Sequence, residues 1–521
     1  MCIRDRGVTV NSGVTLTNNA ALGSDSGTIT NSGTINTSAS NIKGAVTNNN
    51  TVNLSGGTLS KAISGSGTTN ITGIVSSNSA ISQAISIASA GDLTISASNV
   101  GGNVTNAGDL ILNGGTLSKS VTGSGKTSIT GAVTANSAIS QAISIAASGD
   151  LTANAGNIGG AVTNAGDLIL NGGTLTKAVT GAGTTSITGA VTANSAISQT
   201  ISISSSGDLT ANAGNIGGAV TNAGDLILTG GTLSKSVSGA GLTTITGNTT
   251  NSAGINQGVN VNSGVTLTNN AALGSDSGKI TNAGTINTNA GNIKGAVTNN
   301  NALNLSGGTL SKAVSGSGTT TISANATNNG GISQKVNVSS GVTLTNNAAL
   351  GSDSGVVTNS GIINTNADNI KGLVTNNNTL NLSGGTLNKA VSGSGTTNVT
   401  GDVTSNSAIS QAISITSAGG LTINASNVGG NVANSGDLIL NGGTLNKVVS
   451  GSGTTNIVGE VTSNSAISQE ILITAVGDLT INADNVGGVV TNEGILTLTG
   501  GSLTHQVIAV SYTHLRAHET A

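Results

Sequence analysis

Aliphatic residues alternate with small polar ones along nearly the whole chain, in runs only four or five residues long. In GDLTI and GDLIL, Leu93, Ile95, Leu110 and Leu112 stand at alternate positions. A strand sends alternate side chains to opposite faces, so each pair points the same way, into a core. Glycine and asparagine punctuate the runs, and both tolerate the positive φ of a tight corner. The pattern predicts short strands joined by turns. No proline interrupts them, as expected where interior strands donate hydrogen bonds to neighbours on both sides.

The strands belong to a long repeat. Gly-Gly-Thr-Leu begins at Gly56, Gly114, Gly172, Gly230, Gly307, Gly384 and Gly442, and returns as Gly-Gly-Ser-Leu at Gly500. Successive starts mark out three 58-residue units, two 77-residue units, and two more of the shorter kind. A marker ending in Gln83, Gln141, Gln199, Gln257, Gln334, Gln411 and Gln469 keeps the same rhythm. The two unit lengths differ by 19, and 58 is close to three times 19. A stack that gains such a segment without disturbing its neighbours has gained one whole turn. The added turn is residues 264–283, repeated at 341–360 and again from Gly13. Strand-opening glycines follow at Gly91, Gly108, Gly125 and Gly149, in steps of 17, 17 and 24. Helical repeats need units of about 33 residues or more, and the leucine-rich pattern is missing. The expected fold is therefore all-β, a parallel β-helix (β-solenoid) with coils of about 17–24 residues. Some 26 coils at ~4.8 Å each would make a rod on the order of 120 Å long.

Composition sharpens this picture. The 521 residues include 80 glycines, one tyrosine, and no tryptophan or phenylalanine. A spherical core of this size normally relies on aromatic side chains for buried area, whereas a narrow stacked core does not. Charged residues make up 7% and the formal net charge is −3, so the basic surface that nucleic acids require is missing. The β-branched alternation argues against disorder despite the glycine and serine content. No run approaches the ~18–20 apolar residues of a membrane-spanning helix.

The two ends differ from everything between them. Met1, Cys2, Arg4, Arg6, Tyr512, His514, Arg516 and His518 hold all the arginine, cysteine, methionine and tyrosine and two of three histidines. They resemble translated sequencing-adapter sequence. We expect residues 1–6 to be a non-native leader, 509–521 a non-native tail, and 7–508 a single repeat array cut from a longer protein.

Candidate chemistry is sparse. Lys61, Lys119, Lys177, Lys235, Lys312, Lys389 and Lys447 recur at one phase, with His505 in the last unit. Such a series is a weak basic stripe for acidic glycans or, the favoured reading, a solvated edge that blocks lateral pairing. Asp92 and Asp109, Asp150 and Asp167, and Asp208 and Asp225 form pairs at a 17-residue spacing that can stack in adjacent coils. Calcium bridges carboxylates but wants about six oxygens, so turn residues are the better reading. GSDSG at Gly23, Gly274 and Gly351 reads as a loop. Asn106, Asn164 and Asn222 of Val-Thr-Asn, and Asn48, Asn49 and Asn50, are either stacked amide ladders or simple turn formers. His505 is alone in the array, and the acids are evenly spread instead of clustered, so no catalytic set can be assembled. The expectation is no catalytic residue, no cofactor and no metal.

The alternation of V-T-N-x-G, G-D-L-I-L and G-G-T-L-x-K over residues 7–508 resembles the passenger regions of autotransporter and filamentous-haemagglutinin-like adhesins. That resemblance implies a right-handed β-helix on the surface of a Gram-negative bacterium, adhering to host-cell, matrix or glycan surfaces or to other cells. It implies an outer-membrane translocator elsewhere in the protein. An array without cysteine fits export. The alternatives are an ice-binding solenoid, for which Thr15/Thr17, Thr266/Thr268 and Thr343/Thr345 supply Thr-x-Thr pairs, and a glycan-active β-helix enzyme.

Overall fold

A computed structural model describes residues 7–510; residues 1–6 and 511–521, which hold the expected leader and most of the expected tail, lie outside the described residues. The chain is all-β, with 51% strand and 5% helix, as a β-solenoid of about 30 turns. It divides into two units, Met1–Val259 and Asn260–Ala521. No helix among the described residues is long and apolar enough to cross a membrane.

One turn of the first unit shows how the sequence builds the stack. Asp150–Ala153 forms the first face, the short 3-10 segment Ala155–Asn157 with Ile158 the second, and Val162–Asn164 the third. The next turn lays Asp167–Leu170, Gly173–Leu175 and Val179–Thr180 on the same three faces. Pairing is parallel and in register, Leu151 on Leu168 and Ala153 on Leu170. Leu151 and Leu168 are fully buried while Asp150 and Asp167 are exposed, the consequence of period-two alternation. Each buried leucine removes enough apolar surface from water to contribute ~1.5–3 kcal/mol.

Corners are set by local polar chemistry. Asn154 Oδ1 accepts from Gly156 N at 2.9 Å, which opens the 3-10 segment, and Ala155 N donates to Gly172 O of the next turn at 2.7 Å. Gly173 then sits at φ +87°. A Cβ there would stand 2.1 Å from Asn154 Oδ1, so only glycine lets the two turns close.

Turn length differs from the upper bound suggested by the glycine steps. The in-register spacing is 16 between Thr184 and Thr200, 17 between Asp167 and Thr184, 18 between Ala190 and Asp208, and 19 between Ile201 and Val220, and reaches 20 between Leu350 and Ile370 and 21 between Val336 and Val357. The strand after Lys126–Ile129 on its face is Ala142–Ile145, which has no opening glycine, so a count of glycines skips it. A 58-residue unit holds ten face segments. At three per turn this makes three and a third turns, each shorter than the third of a unit that the sequence suggested. Each unit therefore ends one face further round than it began. Gly57–Leu59 and Gly115–Leu117 head two different faces and Gly173–Leu175 the third. The face of Gly57–Leu59 runs on through Val179, Ile197 and Ile216 to Ala213–Asn215, over which Gly231–Leu233 is laid.

The difference between the two unit lengths is one whole turn. In the second unit Thr343 pairs with Ile362, Leu350 with Ile370 and Val357 with Val374, so the added segment contributes one rung to every face. Thirteen face segments then fill a 77-residue unit, which makes four and a third turns.

The core is mainly aliphatic, with buried Asn, Thr and Ser at the corners and one recurring set of buried glutamines. Gln83, Gln141, Gln199, Gln257, Gln334, Gln411 and Gln469 are all buried. In the amide orientation that satisfies both ends, Gln334 Oε1 accepts from Thr320 Oγ1 at 2.6 Å and Asn299 Nδ2 at 2.9 Å. Its nitrogen donates to the carbonyls of Ser315 and Asn299, each at 3.1 Å. Partnering of this kind, at Gln334 and likewise at Gln411, offsets the cost of burying an amide.

Candidate functional site

The added turn brings two features that the 58-residue units lack. The first is its GSDSG loop, closed by reciprocal backbone bonds between Ser275 and Gly278, 3.2 and 3.1 Å. This loop holds Asp276 against Lys312 at 2.5 Å, two turns further on. The same pair recurs as Asp353–Lys389 at 2.6 Å and Asp25–Lys61 at 3.0 Å. The Lys312 and Lys389 ammonium groups, by hydrogen bond and then by charge, hold Asp276 and Asp353 below the usual carboxylate range. Lys119, Lys177 and Lys235 have no such loop upstream and are exposed. Because successive units rotate by one face, these lysines follow three different faces and make no stripe.

The second feature is a polar groove. In each copy of the added turn the exits of successive strands line an open cleft, of about 670 Å³ beside Thr17, 450 Å³ beside Thr268 and 580 Å³ beside Thr345. Every lining residue is Asn, Thr or Ser. Along one wall runs a column of half-buried amides. Asn53 Nδ2 donates to Asn36 Oδ1 and Asn70 Nδ2 to Asn53 Oδ1, both at 2.7 Å. Asn304 donates to Asn287 at 2.8 Å, Asn381 to Asn364 at 2.7 Å and Asn398 to Asn381 at 2.8 Å. On the floor the hydroxyls of Thr37, Ser383 and Thr400 donate to backbone carbonyls of the preceding turn, at 3.0, 3.3 and 3.1 Å.

The 58-residue units break this column. Where Asn53, Asn304 and Asn381 stand, four of the five carry Ile111, Ile169, Ile227 and Ile439 on the same outward phase, and the last carries Thr497. These three grooves lie where an added turn and an amide column meet.

The remaining candidates fall as follows. The aspartate pairs are in register, Asp92 on Asp109, Asp150 on Asp167 and Asp208 on Asp225. They bring two carboxylates together, and no cluster of three or more metal-binding side chains occurs among the described residues. His505 Nδ1 lies 3.1 Å from Val486 O, at the surface. Asn106 is a turn former and not a ladder rung: Gly108 N donates to its Oδ1 at 3.0 Å, and its Nδ2 donates to Lys126 O at 3.0 Å. Asn164 and Asn222 do the same. Asn48 is a rung, accepting from Asn31 at 2.6 Å. The amide columns at Asn36, Asn287 and Asn364 were not singled out from sequence, although a 17-residue Asn spacing on the outward phase would have found them. Comparison with protein-family models, curated proteins and solved structures returned no match.

Proposed function

We propose that this array is the non-catalytic shaft of an adhesive or structural protein, displayed at a bacterial cell surface or secreted, that contacts host-cell, matrix or glycan surfaces or other copies of itself. The supporting observation is the rotation of the repeat. A polar, nearly neutral surface motif is carried to all three faces in turn, which suits contact in every direction and does not gather reactive groups into one cleft. Display of residues 7–510 on a non-adherent bacterium tests the reading. Raised attachment to host cells, matrix or neighbouring bacteria is expected, and no rise in any of these assays would end it.

A second reading is favoured by one specific register. Thr15, Thr34, Thr51 and Thr68 stack on one outward phase over four turns, a flat row of hydroxyls of the kind that orders water into an ice-like layer. Thermal hysteresis by the purified chain would support it. Ordinary freezing behaviour removes it.

A further inference from the structure

We propose that the three grooves bind segments of neutral, hydroxyl-rich polysaccharide, and that the two grooves of the second unit, opening at different corners of the stack, bridge separate polysaccharide chains. The inference rests on the adhesive reading for its setting and names the ligand class that reading leaves open.

The chemistry follows from the amide column. A side-chain amide has two N–H donors and an oxygen with two lone pairs. The bonds between Asn364, Asn381 and Asn398 use one donor and one lone pair of the middle rung. What remains, one N–H and one lone pair, faces outward side by side, and its orientation is fixed by the ladder. A pair of adjacent sugar hydroxyls presents the complementary donor and acceptor. The rungs repeat at ~4.8 Å, on the scale of one pyranose ring, so consecutive sugars meet consecutive rungs. The hydroxyls of Ser383 and Thr400 donate inward and keep acceptor lone pairs towards the groove.

The same composition sets the selectivity. No lysine or arginine lines a groove, so sulfated and carboxylated sugars find no charged partner. No aromatic ring offers a stacking platform, so each groove is weak alone and useful only in number.

Number is where the geometry matters. The groove at Thr268 lies at the exits of Thr266–Asn269 and Thr285–Thr288, on the face that continues through Thr319–Ile322, Lys335–Val338 and Val357–Asn359. The groove at Thr345 lies at the exits of Thr343–Asn346 and Ile362–Thr365, on the next face round the same turns. One 77-residue unit separates the two, so they stand four and a third turns, or about 20 Å of stack, apart. They open a third of a turn away from each other, so one straight polysaccharide does not fill both.

The test uses the whole chain and the substitutions N53I, N304I and N381I, which install the isoleucine that four of the five shorter units carry at this place and so preserve the fold. On an array of oligosaccharides, wild type is expected to retain neutral chains over sialylated or sulfated ones. Each substitution should weaken its groove about tenfold through the loss of two or three aligned hydrogen bonds. Mixed with a soluble neutral polysaccharide, wild type should precipitate it. The N53I/N304I double variant, with one groove left, should bind without precipitating, and the triple variant should do neither. Retention of neutral sugars by the triple variant, preference for charged sugars, or retention of none overturns the inference. Undiminished attachment of cells displaying the triple variant would also overturn it while leaving the adhesive reading intact. Groove-dependent sugar binding by a chain that promotes no attachment sinks the adhesive reading alone.

Discussion

Gly173 combines a φ of +87° with a would-be Cβ 2.1 Å from Asn154 Oδ1, so strain and collision act together at one atom. Gly173→Ala should destabilise the surrounding turns by about 1–3 kcal/mol. Native-state hydrogen exchange at Ala155, which donates across this corner to Gly172, reads the loss directly. The buried glutamines give a second residue-scale test. Gln334→Leu strands the Thr320 hydroxyl in an apolar interior, while the Asn299 amide keeps its bonds to Thr319 O and Asn282, at a cost of about 1–3 kcal/mol. The double variant T320V/Q334L should recover part of that in thermal denaturation, because removing both partners leaves less unsatisfied. Asp276 and Asp353 supply a titration. Their carboxyls lie below the ordinary range because Lys312 and Lys389 stabilise the ionised form. The stabilisation is therefore in place above the ordinary carboxylate pKa and fades as pH falls through the lowered one. Side-chain NMR should show both residues titrating at more acidic pH than an aspartate in an unstructured peptide, with Lys312→Met returning Asp276 alone to the usual range. An unchanged Asp276 would remove the Lys312 account.

At the scale of the element, the whole turn is the exchangeable part. Deleting residues 342–360 takes one rung from each face of the second unit, bringing Ala326 against Ile363, Val336 against Val374 and Ile332 against Ile370. Every new neighbour is apolar and on the inward phase. The shortened chain should unfold cooperatively with a melting temperature within a few degrees of the parent, whereas deletion of only half of the same segment should expose the core and melt early. Circular dichroism melts distinguish the two. The strands and the added turn were legible in sequence because a one-residue slip reverses the burial of every side chain, which forces the alternation to be strict. Turn length was not. Glycine marks a corner only where φ is positive or backbones nearly touch, and Ala142–Ile145 opens after Gln141 instead. The grooves were hidden for a related reason. Asn106 and Asn53 look alike in the sequence, yet one points inward to close a turn and the other outward into a column.

At the scale of the molecule, the third of a turn left over from each unit governs where everything points. Neither unit length is a whole number of turns, so the lysines that look like one series in sequence are shared among three faces. Lysine-specific cross-linking with a short reagent should therefore join few of Lys119, Lys177 and Lys235 to one another, and abundant Lys119–Lys177 links would contradict the rotation. The same remainder has a hereditary consequence. Near-identical repeats invite unequal crossing-over, and each event that drops or duplicates one unit keeps every aliphatic rung in register. Within a run of 58-residue repeats each such event moves the residues that follow in that run one face round, and three events restore the first face, with no change in the amino acids of those residues.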